Sequence, residues 1–436
     1  MMRFRISNIA VPVLVLISFL FYCYFLFGKG IPIERFTITS VANSVVFILI
    51  AFIIKGRDFS KKFIYAVLGA GLLFRILMVF SSPTGSDDIY RYIWDGKVFA
   101  AGVNPYKYNA DDPALNDLHS EKLPAEINLP HYKTIYPPAA QIFFLTSYLI
   151  KGESVSGLKF LLLISEILTL IFIYLTLKLL KRNEKYILLY ALCPLPVMQF
   201  MIDGHIDGLG IMFLSGFIYF YLKSKKVTSY LLLGFSTISK LISGMLIPVI
   251  FFNEKGRKRI TAILVPASIL AISYGMFLID GTNPFESVEN FAKNWMFNGS
   301  VFEIFRFVTH SHLLAREICG ILFLVAWAVF AVKKGDFVRK AYYLFLVFFL
   351  LSTTVHPWYL TWLVLFFPFY PEWSGILFVS LVSLVNIDLI VYYNTGIWQE
   401  TAAIHYIEYI PVYLMLIYEI YTYFYYRKKP FTLSVS

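Results

Sequence analysis

The chain has 436 residues, of which 58% are hydrophobic, 19% aromatic and only 15% charged, with a formal net charge of +11. Apolar runs of about 20 residues recur from end to end, each long enough to cross a bilayer core. This excludes a soluble globular domain and predicts an all-α polytopic membrane protein. Nucleic acid is excluded as a partner too, because the basic residues form short clusters between apolar runs: Arg3/Arg5, Lys55–Lys62, Lys178–Lys185, Lys223–Lys226, Lys255–Arg259, Lys333–Lys340 and Arg427–Lys429. That is the pattern of cytoplasmic turns, so the basicity reports orientation and a lipid environment.

In chain order, Ile9 to Phe27 follows Arg3 and Arg5 and is longer than a signal h-region, with no small-residue cleavage site after it. It reads as a retained first helix, and residues 1–62 as two N-terminal transmembrane helices. Ile64 to Phe80 then carries the chain outward into a polar, aromatic-rich stretch. This contains Gly85-Ser-Asp-Asp-Ile-Tyr-Arg-Tyr-Ile-Trp-Asp-Gly96, Asn104-Pro-Tyr106 and Tyr136-Pro-Pro138.

Basic clusters on both sides of this region require an odd number of later crossings, yet two apolar runs follow, Pro138 to Ile150 and Leu158 to Lys178. The first has about 13 residues, or about 20 Å of helix against a core of about 30 Å. Residues 81–157 are therefore expected outside as one structured loop with juxtamembrane helices. The same parity argument at 228–252 requires a hairpin broken near Ser239-Lys240-Leu-Ile-Ser-Gly244, with arms too short to cross fully. A lysine at such a tip needs water, an anion or a ligand, and broken segments at membrane depth are tolerated where they line a cavity.

The count reaches about 14 spans, some short, with both termini cytoplasmic. Outside lie the 81–157 region, the Asp203-Gly-His-Ile-Asp-Gly208 turn, the stretch from Asp280 to His312, the Thr354 to Tyr359 corner and the Tyr392 to His405 loop. No soluble domain or repeat is apparent. Cys23, Cys193 and Cys319 are scattered through apolar runs and give neither a disulfide framework nor metal spacing.

The outer loop carries the chemistry. Between 81 and 137, Asp87, Asp88, Asp95, Asp111, Asp112, Asp117, Glu121 and Glu126 face Arg91, Lys97, Lys107, Lys122 and Lys133, so the loop is net acidic in a basic protein. Asp87 and Asp88 follow a plausible cap, Ser86, where first-turn acids are favoured by the helix dipole. Structurally they cap a short helix; functionally, a carboxylate at the outer surface, near the depth of a lipid phosphate, serves as general base toward a hydroxyl.

These motifs, followed by Leu246-Ile-Pro248, Asn294-Trp-Met-Phe-Asn298 and His356-Pro-Trp-Tyr359, resemble in order and sidedness the GT-C superfamily of membrane glycosyltransferases. The closest likeness is to polyprenol-phosphate-mannose-dependent mannosyltransferases and their bacterial relatives, over roughly residues 60–370. The resemblance implies a catalytic module at 63–260 and a C-terminal set of helices at 261–436 with an outer loop at 280–312. It implies inverting transfer of a sugar, by preference mannose, from a polyprenyl-phosphate donor to an acceptor hydroxyl of a lipid or glycan. The active site would lie on the extracytoplasmic side, in the cell membrane.

The resemblance maps the base onto Asp87 or Asp88, although these acids are adjacent rather than separated by one residue. Asp87 is favoured as nearer the helix end. Substrate-binding candidates are Arg91, Tyr136, His205, Asp207, Lys240 and His356, with Lys240 facing the phosphate. No cofactor and no metal ligand is assigned; a divalent cation remains open. The competing expectations are a transporter or lipid flippase, with Lys240, Asp207 and His205 lining a pathway, and a non-catalytic assembly subunit.

Overall fold

The computed structural model describes residues 2–278 and 281–428. Asp280, the expected start of one outer stretch, and Lys429, in the last basic cluster, lie outside the described residues. The fold is helical throughout; the β pairing among the described residues is one bridge, Phe297 to Thr354.

Helices α1 (Met2–Phe27), α2 (Pro32–Gly56) and α3 (Lys61–Met78) precede the polar loop, which holds α4 (Asp88–Ala100) and α5 (Pro138–Lys151) before α6 (Val155–Leu179). A broken stretch follows, α7 (Leu188–Ala191), α8 (Pro194–Pro196) and a π-helical turn over Val197–Ile202, then α9 (Asp207–Leu222), α10 (Lys226–Ser239), α11 (Leu246–Asn253) and α12 (Arg257–Gly275). Beyond come α13 (Glu286–Asn294), α14 (Val301–Thr309), α15 (His312–Val332), α16 (Phe337–Leu351), α17 (Pro357–Val364), α18 (Trp373–Leu381), α19 (Asn386–Thr395) and α20 (Ala402–Lys428).

Among the described residues five stretches are long and apolar enough to cross a membrane: Ile9–Phe27, Pro32–Gly56, Val155–Leu179, His312–Val332 and Trp373–Thr395. A sixth is formed if Glu184–Ala191 and Pro194–Ile202, bent by 44° at the Cys193-Pro194 break, count as one span. The protein is thus an integral membrane protein. The expected total of about 14 rests on helices shorter than the roughly 20 residues a full crossing needs.

Between α3 and α6 a buried ionic network is paired, as a low-dielectric interior demands. Arg75 of α3 meets Glu166 of α6 at 2.8 Å, with both side chains fully buried. Its guanidinium also donates to the carbonyls of Gly71 and Ala191, and Tyr190 donates to Glu166 at 2.5 Å. A Cβ at Gly71 would stand 2.6 Å from the Ala191 carbonyl oxygen, so glycine permits the approach that lets Arg75 reach it.

The polar loop is held by a second buried network. Arg91 bonds Asp95 one turn on at 2.9 Å and the Tyr132 carbonyl at 2.9 Å; Asp95 also accepts from Thr134 at 2.5 Å and Gln141 at 3.1 Å. This ties α4, the 131–136 segment and α5 into one unit. Tyr92 stacks on Phe144 with ring centroids 4.6 Å apart, and Gly96 lets the helices touch, since a Cβ there would lie 2.4 Å from the Phe144 carbonyl oxygen. Glu153, just past α5, accepts from Lys97 at 2.5 Å and Ser120 at 2.8 Å, so the end of the region is bonded to its beginning and middle. At 14 residues, α5 is about 21 Å long, short of the hydrocarbon thickness.

Candidate active site

The loop is docked by a carboxylate. The π-helical turn ends at Asp203, whose Oδ1 accepts the backbone N–H groups of Thr84 at 3.1 Å and Gly85 at 2.8 Å. Gly204 follows with φ +78, and a Cβ there would strike Ile89. The Asp203–Asp207 turn and the start of α4 thus fit together at van der Waals range, which fixes the acid pair against the turn.

Asp87, not the expected Ser86, is the N-cap residue of α4, without a side-chain cap bond, and Asp88 is the first helical residue; Ser86, one position earlier, accepts the Asp88 N–H on Oγ at 3.3 Å. The two acids differ in surroundings. Asp87 is exposed and bonded by the Asn128 amide. Asp88 accepts from Tyr136 Oη at 3.2 Å and from the same amide at 3.4 Å, and lies 3.7 Å from His205 Nδ1. Burial, then the neighbouring Asp87 charge, pushes the Asp88 carboxyl up to about 6. Desolvation chiefly, with a contribution from Glu126, raises Asp87 as well. Arg91, a substrate-binding candidate, is held by Asp95.

Lys240 sits where α10 ends, in extended conformation with φ −157 and ψ 125, before a 3₁₀ turn at Leu241–Met245 leads into α11. Its Nζ donates to Asp207 Oδ2 at 2.7 Å and lies 4.3 Å from the centre of the Tyr359 ring. Asp207, fully buried, accepts the Trp362 indole N–H on its other oxygen at 2.7 Å.

Behind the acids runs a file of rings. His205 stacks on Trp358 at 3.9 Å, Trp358 on His356 at 4.2 Å, and His356 on Phe297 at 4.5 Å. Phe297 is pinned by the β bridge, its N–H donating to Thr353 and its carbonyl accepting from Val355.

All this surrounds a cavity of about 1190 Å³. Of the residues singled out from the sequence, Asp87, Asp88, Arg91, Tyr136, Lys240 and His356 line it; His205 and Asp207 stand behind the lining, supporting Trp358 and Lys240. The wall also includes Trp295, from the Asn294-Trp-Met-Phe-Asn298 motif, together with Asn128, Gln199 and Arg316, which sequence reasoning did not select. Arg316 comes from α15 and bonds the carbonyls of Ala292 and Trp295. Among the described residues no three His, Cys, Asp or Glu side chains converge to hold a metal ion, so no step is routed through a cation.

Residues 30–253, just over half of the chain, match the family model described as alpha-(1->6)-mannopyranosyltransferase, N-terminal domain (MptA_B family). The chain belongs to this family. It is a membrane glycosyltransferase, a mannosyltransferase of the GT-C type, and the resemblance read from its motifs is borne out. The comparison with individual curated proteins gives no match. The matched segment of this mannosyltransferase contains both acids, the 203–208 turn and Lys240, whereas Arg316, His356 and Trp358 come from the remaining half, so the cavity needs both.

Proposed function

We propose that the protein transfers a mannosyl group from a polyprenyl-phosphate donor to a hydroxyl group, with inversion, on the non-cytoplasmic side of the membrane. One observation carries this reading: a carboxylate pair and a lysine at a helix break open into the same large cavity. The apolar part of its wall, including Phe36, Ile242, Met245, Phe348 and Leu389, suits a polyprenyl chain, and Lys240 suits the phosphate. The family's description supports a primary sugar hydroxyl, the 6-OH of a mannoside, as acceptor.

Asp87 is assigned as base. It faces the cavity with a single amide partner, while Asp88 is engaged by Tyr136, Asn128 and the neighbouring His205. Asp87 takes the acceptor's O–H proton as the oxygen bonds the anomeric carbon. The bond from that carbon to the phosphate oxygen breaks, and its electron pair leaves on the polyprenyl phosphate. The departing charge meets Lys240, whose bond to Asp207 orients the ammonium beforehand. A single displacement needs no carboxylate nucleophile, unlike a retaining glycosidase.

The sidedness and the count of about 14 spans are part of this proposal. They are supported by the basic clusters and by the shortness of α5, with residues 63–260 as the catalytic module and 261–436 completing the cavity. Incubating the purified protein with synthetic polyprenyl-phosphate mannose and an α-mannoside tests it directly. Formation of an α-linked disaccharide from a β-linked donor supports the reading; retention of the donor's anomeric configuration, or no transfer, overturns it.

A further inference from the structure

A second, smaller cavity of about 390 Å³ adjoins the first, lined by Thr84, Ser86, Asp87, Tyr90, Glu126 and Asn128, with Tyr393 of α19 closing one side. Ser86, Asp87 and Asn128 line both cavities, so the acid assigned as base stands in the partition. Asp88 lines the large cavity alone of the two.

Charge separates the compartments. The large cavity has Arg91, Lys133, Lys240 and Arg316 in its wall, whereas among the described residues no basic side chain lines the small one, which offers Asp87 and Glu126 instead. A phosphate would be repelled from the small cavity and attracted to the large one. A neutral polyol has no such penalty. Carboxylates and an amide are strong acceptors and donors for hydroxyl groups, and the rings of Tyr90 and Tyr393 offer flat apolar faces to the C–H side of a sugar. The volume falls in the range of small-molecule sites, about 300–1,000 Å³. One wall is pre-set, because the Thr84 and Gly85 N–H groups are fixed by buried Asp203. Ala125, Glu126 and Asn128 are exposed, so the cavity opens to the protein surface.

We propose that this small acidic cavity is the acceptor site: it binds a neutral mannoside from water and presents its primary hydroxyl through the partition to Asp87, while the donor lies in the large cavity. The inference rests on the transferase reading above and adds where the acceptor sits and why the two substrates do not exchange places. Glu126 is a specificity residue in it, holding acceptor hydroxyls.

The test uses the full-length protein in nanodiscs with polyprenyl-phosphate mannose and octyl α-mannoside. Glu126→Gln and Ala125→Trp, the first removing an acceptor and the second filling the space, raise the KM for the mannoside at least tenfold and leave the KM for the donor within twofold. If the unaltered protein transfers mannose and both variants keep their mannoside KM, or shift the donor KM instead, the acceptor-site assignment is overturned while the transferase reading stands. A measurement without turnover covers the converse. An Ala125→Cys variant is labelled by a membrane-impermeant maleimide, and octyl α-mannoside slows the labelling while polyprenyl phosphate does not. Absence of protection by the mannoside, or equal protection by both, overturns the proposal even if no transfer is observed.

Discussion

Lys240 and Asp207 are held 2.7 Å apart, and the carboxylate of that pair is buried while the ammonium reaches the cavity. A donor phosphate therefore adds a second anion to a lysine whose position is already set. Lys240→Ala removes that cation and should weaken donor binding by about 2–5 kcal/mol. It also strands Asp207 without its cation, which lowers thermal stability. Adding Asp207→Asn should restore the melting temperature and leave donor binding weak. Unchanged donor affinity in the folded double variant would sink the role given to Lys240.

The acid pair makes a sharper separation. Asp87→Asn keeps the shape but cannot accept a proton, so transfer should drop by roughly 10²–10⁴ with donor binding retained. Asp88→Asn should cost less, because the Tyr136 and Asn128 contacts can be remade to an amide. Single-turnover rates for the two variants decide the matter: a larger loss at Asp88 would move the base by one residue.

The pH dependence follows from the surroundings of the pair. Both carboxyls are raised above the ordinary aspartate range, Asp88 to about 6, and a base works only when deprotonated. The acid limb of kcat/KM should therefore lie above the ordinary aspartate range, with activity falling as pH drops through it. Glu126 is among the charges that raise Asp87, whereas the neighbouring charge that most raises Asp88 is Asp87. Glu126→Gln should thus shift the limb to lower pH if Asp87 is the base, whereas an unmoved limb would point to Asp88.

Topology can be read at Glu153, which bonds Lys97 and Ser120 of the same loop. A cysteine there should react with an impermeant maleimide added outside intact cells. Labelling only after the cytoplasmic face is opened would reverse the orientation of residues 81–157 and with it the side on which transfer occurs.

Much of this site was legible because a few residues announce themselves against an apolar background. Two adjacent aspartates after a span, and a lysine in a run whose basic flanks demand a turn, stand out without any tertiary information, and they do reach one cavity. What could not be read are contacts made across the fold. Asn128 is 41 residues from Asp87, Arg316 enters from a helix outside the matched segment, and neither has a local pattern that marks it. Arg91 was available to Asp88 by helix geometry but also to Asp95 at i+4, and the buried Thr134–Gln141 network decides for the latter. His356 was expected as a substrate contact; it lines the cavity with its ring in the stack from His205 to Phe297. The span count suffered from the same cause: helices such as α11 and α17 are eight residues long and fall beneath any length rule.

That file of four rings has a consequence for anyone who would dissect the protein. His205 belongs to the segment that defines the family, and Trp358, His356 and Phe297 to the other half, so the stack crosses the line at residue 253 along which a truncation would be cut. A fragment ending there would leave His205 facing empty space where an indole should be, and a chimera with a foreign C-terminal half would work only if it delivered a flat ring at the same height. The two halves are therefore interchangeable between relatives only as a matched set.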